Sequence, residues 1–307
     1  MIPKHIILSR KGFDSSAGGC ASPIFDDNTM ISIPIPEGQN SPEGPNLHVN
    51  FEDIFYKKEC SLGPVVESLT VKKVLGSHKA HLDPDLAYAA IERSPPEWLP
   101  SLGQVAVAQT HLANNQVGEG DLLLFFGWFR RVKNVADKWQ YIASEPDLHV
   151  LFGWLQIGEI VPVGDNPSAI IAKCPWLVRH PHLADSYAHW KGYENNSVYL
   201  ARKWMSLSGV DDNKIEGGGV FPRFDSPLVL TDKGQNKRSL WRLPSSFCPR
   251  DKHTMTYHRD QKRWEPCPGG YLLQTAGRGQ EFILETNDYP GAISWVGSLF
   301  EKFRNCY

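Results

Sequence analysis

Asp121-Leu-Leu-Leu-Phe-Phe-Gly-Trp-Phe-Arg130 and His149-Val-Leu-Phe-Gly-Trp-Leu-Gln-Ile-Gly-Glu-Ile-Val161 are two continuous apolar runs bounded by polar turns. Their aromatics and interior glycines favour strands buried on both faces over helices. The shared Phe-Gly-Trp, at 126–128 and 152–154, predicts that the two pair in the core, with 131–146 as a hairpin connection. An aromatic wall that stacks a flipped base is the alternative use of these tryptophans, Trp128 among them.

Working outward, residues 5–10 form an apolar strand that runs into a glycine-flanked loop, and 30–36 alternate into prolines as a short edge strand. Residues 83–92 read as a short helix, with Asp83 as N-cap, Pro84 at the first position and Pro95-Pro96 beyond the end. Short strands are expected at 197–201, 228–231 and 281–285, and 293–303 has the apolar spacing of a helix. Strands outnumber helices and the two do not alternate regularly. The expected class is therefore α+β: a mixed, strand-rich central sheet with a few short helices and long loops, one domain over 1–307.

The chain has 307 residues, 41% of them hydrophobic and 21% charged, enough for a sizeable core and too apolar for extensive disorder. A net charge of -2 supplies no global basic field, so any nucleic-acid contact must come from a local patch. The N-terminus lacks a long apolar run and no segment is long enough to span a bilayer, which predicts a cytoplasmic protein without a membrane partner. Six scattered cysteines without a C-x-x-C pair indicate neither a zinc knuckle nor a disulfide framework.

Chemistry concentrates in four places. In Ser9-Arg-Lys-Gly-Phe-Asp-Ser-Ser-Ala-Gly-Gly19, Arg10 and Lys11 can neutralise a phosphate, Asp14 can serve as base, and Ser15 and Ser16 can bond a ligand. The glycine-rich phosphate loop of pyrophosphatases is a poor match, because Arg10 and Lys11 stand where glycines would be. The same residues could also build a self-satisfied turn. In His81-Leu-Asp-Pro-Asp85, His81 and Asp83 are an acid-base pair, or Asp83 is merely a cap. His180-Pro-His182, with Asp185 and His189 following, is the densest imidazole cluster; lacking a third ligand at diagnostic spacing, it assigns no metal, and His182 is held as a polar site residue. Gly217-Gly-Gly219 with Arg238, Trp241 and Arg242 combines cations and an aromatic, and Arg278-Gly-Gln-Glu281 brings Gln280 and Glu281 to a strand entry. Arg130 closes the first Phe-Gly-Trp strand as another substrate contact.

The loop 9–19, the His81-x-Asp-Pro-Asp85 element, Gly120–Arg130 and Arg278-Gly-Gln-Glu-Phe282 together resemble the nucleotide modification associated domain 3 family over nearly the whole chain. The resemblance implies an α+β domain acting on, or in company with, nucleotides or DNA bases, in modification systems of bacteria and their mobile elements, with partner proteins of such a system. It supplies no reaction and leaves the cofactor open. Group transfer from a nucleotide-derived donor is one expectation, with Asp14, His81, Asp83 and Glu281 catalytic and Arg10, Lys11, Ser15, Ser16, Arg130, His182, Arg238, Trp241 and Gln280 binding substrate. A noncatalytic reader of modified nucleic acid, stacking bases on Trp128 or Trp241, is the other. Mono-ADP-ribosyltransferases share a strand-entry glutamate like Glu281 and an early-strand arginine like Arg10, but Gly279 replaces their Glu or Gln two positions earlier. A single catalytic site requires Arg10, Asp14, Asp83, His182 and Glu281 to converge.

Overall fold

A computed structural model describes residues 2–37, 48–93, 97–164, 166–184, 194–208, 215–234, 237–247, 255–277 and 279–303. A nine-stranded mixed sheet organises them. Its strands are β1 (His5–Arg10), β2 (Ser22–Ile24), β3 (Ser101–Gln104), β4 (Leu122–Val135), β5 (Lys138–Tyr141), β6 (Leu148–Pro162), β7 (Ser197–Ala201), β8 (Gly218–Val220) and β9 (Glu281–Glu285). The order is β9-β1-β4-β6-β7-β3, with β2 and β5 paired to β4 and β8 paired to β6. Among the described residues five short helices accompany it: α1 (Gly63–Leu69), α2 (Ala106–Asn114), α3 (Pro167–Lys173), α4 (Pro181–Ala184) and α5 (Pro290–Phe303). The class is α+β.

The two Phe-Gly-Trp runs are the long central strands β4 and β6, antiparallel and in register with Leu151 opposite Phe126, a bulge falling between Leu151 and Gly153. The predicted hairpin connection is partly strand: β4 continues to Val135 and β5 folds back on it before β6 begins. β1 lies between β4, to which it is parallel, and β9, to which it is antiparallel, so Ser9 sits opposite Glu281 and Arg10 beside Phe126. The principal core carries Phe126, Trp154, Trp241 and Phe282, and α5 lays Val296, Leu299, Phe300 and Phe303 onto it. Each such side chain contributes about 1.5–3 kcal/mol of burial. α5 starts at Pro290, a residue whose missing N–H costs nothing at a helix start.

Two expected elements are not formed. The helix over 83–92 shrinks to one 3-10 turn at Tyr88–Ala90, because Asp85 spends its backbone N–H and carbonyl on Ser101, both at 2.9 Å, and is held extended. Asp83 consequently caps no helix and is free to serve elsewhere. The strand over 228–231 is likewise a 3-10 turn at Ser226–Leu228 followed by isolated bridges from Val229 and Thr231.

Candidate functional site

Successive residues of a strand point to opposite faces of its sheet, and the end of β1 uses this to place two cations apart. Arg10 shares a face with Phe126 and Phe282, its guanidinium lying 5.7 and 5.6 Å from their ring centroids and donating to the carbonyls of Ala276 and Gly277. Its Nε is buried without a hydrogen-bond partner. Across a cavity of about 550 Å³, Arg238 lies 4.0 Å over the ring of Trp128 and donates to Ser15 Oγ at 2.7 Å. Lys237, His149, Asp14 and Ser16 complete the lining. Burial lowers the pKa of Arg10, against Asp14 and with Arg238. Burial, with the same two arginines, pulls His149 down to about 3. Three cations and one carboxylate make this an anion pocket.

Asp14 closes a turn within it. Its Oδ1 accepts from Ser16 N–H, Ser16 Oγ and Ala17 N–H at 2.7–2.8 Å. Although burial opposes it, these bonds and the charge of Arg10 hold the carboxyl below its ordinary pKa, which favours an anchor over a proton acceptor.

On the opposite face Lys11 donates to Glu281 Oε1 at 3.0 Å, and Gln104 Nε2 donates to the same oxygen at 2.6 Å. Glu281 Oε2 is buried with no hydrogen-bond partner. Asp83 belongs to this charge cluster. Burial raises its pKa, opposed by His81, Lys11 and the Gly103 N–H and reinforced by Glu281. Asp83 Oδ1 accepts from Gly103 N–H at 2.7 Å and lies 3.6 Å from His180 Nε2. Its Oδ2 is 3.9 Å from His81 Nε2 and 3.7 Å from His182 Nε2. Burial brings His182 down to about 3 and takes His180 well below the usual histidine value. Both rings are neutral at pH 7. His81, Asp83 and His182 each present one donor atom within 4.8 Å of the others.

The local folding follows from the chain. The two-residue pairing of Ala80–His81 with Ile35–Pro36 brings Glu37 alongside His81. The 3-10 segment Pro175–Arg179 turns into α4, which lowers His182 onto β3, where Gly103 leaves room for the ring. A Cβ at Gly103 would fall on the imidazole of His182. Gly103→Ala is therefore expected to displace His182 and abolish any activity of this site while lowering stability by about 1–3 kcal/mol, as overpacking does; thermal unfolding and an activity assay on the same preparation check it.

The predicted residues thus fall into two groups. Lys11, His81, Asp83, His182 and Glu281 come together; Arg10, Asp14, Ser15, Ser16 and Arg238 come together on the other face, with Trp128. One convergent site of Arg10, Asp14, Asp83, His182 and Glu281 is not what the fold builds, because Arg10 and Lys11 alternate across the sheet. Three residues lie outside both groups. Trp241 is fully buried against Phe126 and Phe282, its indole N–H bonded to His149 Nδ1, so it presents no face to a ligand. Arg130 lies over Tyr141 and donates to the carbonyls of Ile142 and Ala143. Gln280 is exposed and offers its carbonyl to Arg10 N–H. Asp185, His189 and Arg278 lie outside the described residues. Sequence reading missed Gln104, His180 as a neighbour of Asp83, Asn196 behind His182, and Glu37 behind His81; only His180 carried a signal, through its spacing to His182.

Elsewhere, a surface groove of about 870 Å³ is lined by Tyr88, Trp98, Trp176 and Trp204 beside Arg202 and Lys203. Larger than the arginine pocket, it is lined by no histidine, so size alone does not mark the chemistry. No helix among the described residues is long and apolar enough to cross a membrane. No curated protein and no solved structure matches the chain. The family model described as nucleotide modification associated domain 3 matches residues 5–285.

Proposed function

Because the chain belongs to the nucleotide modification associated domain 3 family, we propose that it is an enzyme acting on a nucleotide or nucleic-acid base, with its chemistry at the Lys11–Glu281–Asp83–histidine cluster. One observation carries this. Four separate stretches of chain contribute six titratable side chains, Lys11, His81, Asp83, His180, His182 and Glu281, to one largely buried group. Strongly perturbed pKa values in company are a mark of catalytic sites.

The arginine pocket supports recognition of phosphate. Arg10 and Arg238 supply planar donors suited to phosphate oxygens, and Trp128 supplies a ring face next to them. Transfer from a nucleotide-derived donor is the reaction class such a pocket favours, since the donor brings the phosphates. The end of β1 stands between this pocket and the histidine–carboxylate cluster, so a substrate using both must pass round it.

The test is mass spectrometry of DNA and free nucleotides incubated with the protein, candidate donors and divalent ions. The expected result is a mass shift that disappears in Asp83→Asn and Glu281→Gln, and that persists in Arg10→Ala with KM raised about tenfold, the loss of one charge-assisted contact. Salt-sensitive binding with no shift under any donor would sink the enzyme reading. It would support a second one, a reader of nucleic acid, which the exposed Tyr88 and Trp204 of the large groove favour as stacking surfaces.

A further inference from the structure

We propose that His81 Nε2, Asp83 Oδ2 and His182 Nε2 form a two-histidine, one-carboxylate site for a divalent first-row transition-metal ion. The site's existence rests on the geometry of these side chains, while its catalytic use rests on the functional reading above.

The first support is the arrangement of the donors. Asp83 Oδ2 lies 3.9 Å from His81 Nε2 and 3.7 Å from His182 Nε2. Bonds of about 2.0–2.2 Å at tetrahedral or octahedral angles separate neighbouring donors by roughly 3.0–3.6 Å. The three donor atoms lie within 4.8 Å of one another, so the side chains must draw inward on an ion to reach that spacing.

The second support is what lies behind each donor. His182 Nδ1 is 2.7 Å from Asn196 Oδ1, and Asn196 Nδ2 donates to the His182 carbonyl at 3.0 Å. The second bond fixes which end of the amide is oxygen, so it assigns the imidazole proton to Nδ1 and leaves the Nε2 lone pair directed at Asp83. His81 has a carboxylate behind it at a longer, ion-pair distance: Nδ1 lies 3.6 Å from Glu37 Oε1 while Nε2 faces Asp83. Asp83 is itself oriented, its Oδ1 engaged by Gly103 N–H. His180 adds to this, since its Nδ1 accepts the His182 N–H at 3.3 Å and therefore carries its proton on Nε2, toward Asp83 Oδ1 at 3.6 Å. Imidazoles whose far nitrogen is held by an amide or carboxylate, around an oriented carboxylate, are the outer shell of a metal centre.

The donor set also selects the ion. Two neutral imidazoles and one carboxylate suit iron(II), manganese(II), cobalt(II) or zinc(II), whereas magnesium and calcium prefer all-oxygen sites and no thiolate is present to draw a softer ion. Three protein donors leave coordination positions for water and substrate, as in catalytic rather than structural sites. Lys11 and Glu281, paired at 3.0 Å, act electrostatically on Asp83.

Cobalt(II) titration of the full chain, followed by its visible absorption and by calorimetry, tests the assignment without any substrate. One ion per chain is expected, with imidazole-type d–d bands. His81→Ala and His182→Ala should abolish those bands, and Asn196→Ala and His180→Ala should weaken binding by about 10–100-fold, the usual cost of an outer-shell loss. Circular dichroism shows whether each variant is folded. Absence of a stoichiometric spectrum in the wild-type protein overturns the site regardless of how the variants fold, and so does binding that folded His81→Ala leaves unchanged. Tight binding without any modification activity would instead retain the site and reject the enzymatic reading.

Discussion

Lys11→Met is expected to lower the stability of the protein by about 3–5 kcal/mol, the cost of breaking a buried ion pair from one side. The Lys11 ammonium reaches Glu281 at 3.0 Å, with side chains only 10% and 1% exposed. Removing the cation leaves a buried carboxylate whose Oε2 already lacks a partner and whose Oε1 retains only Gln104. Lys11→Met/Glu281→Gln removes both charges and should recover most of the loss, because a neutral amide needs no counter-ion and Gln104 can still bond to it. Urea denaturation of the two single variants and the double variant gives the coupling energy directly. If the double variant is as unstable as Lys11→Met, the pair is not a stability element and its burial serves something else. A recovered double variant that is inactive would separate the folding contribution of the pair from its part in the chemistry.

Acidification from pH 7 to pH 5 should produce the other large effect. His149 and His182 are brought to about 3 and His258 to about 4, in each case chiefly by burial. The unfolded chain protonates these imidazoles near pH 6.5, whereas the folded protein stays neutral there, so the unfolded state binds more protons and stability falls with pH. The loss begins at about pH 6.5 and amounts to roughly 1.4 kcal/mol per histidine for each further pH unit until the folded values are reached. Asp83 and Asp85, both raised by burial, act with the opposite sign, since as pH falls they take up their protons in the folded protein before the unfolded chain does. Thermal unfolding between pH 7.5 and 4.5 should show a steep fall that His149→Phe or His258→Phe makes shallower. A flat profile would mean that these rings charge inside the folded protein.

The central sheet was legible because its signal is local: the apolar runs within 121–130 and 149–161, with interior glycines, carry the buried parts of β4 and β6. The loop after β1 was legible for a similar reason, and its Arg10, Asp14, Ser15 and Ser16 do line one cavity. The helix over 83–92 misled because capping residues describe only local preference, and Ser101, sixteen positions after Asp85, outbid it with two backbone bonds. Convergence of His81, Asp83 and His182 is a property of topology. A residue on a two-residue strand, one in the turn that follows and one on a four-residue helix share a site only after β3 and β7 have paired. Trp241 shows the reverse error: an aromatic between two arginines looked like a ligand surface, yet its neighbours Phe126 and Phe282 needed it in the core.

The alternation at the end of β1 has one more consequence. A single peptide unit joins Arg10, which serves the phosphate-type pocket, to Lys11, which serves the carboxylate cluster. A slip of β1 by one residue against β4 and β9 would exchange them, putting a guanidinium beside Glu281 and an ammonium over Phe126. The strand is thus a double-sided key whose two bits can be cut only together: an inserted or deleted residue between His5 and Arg10 would disable both locks at once, and neither site can drift without the other.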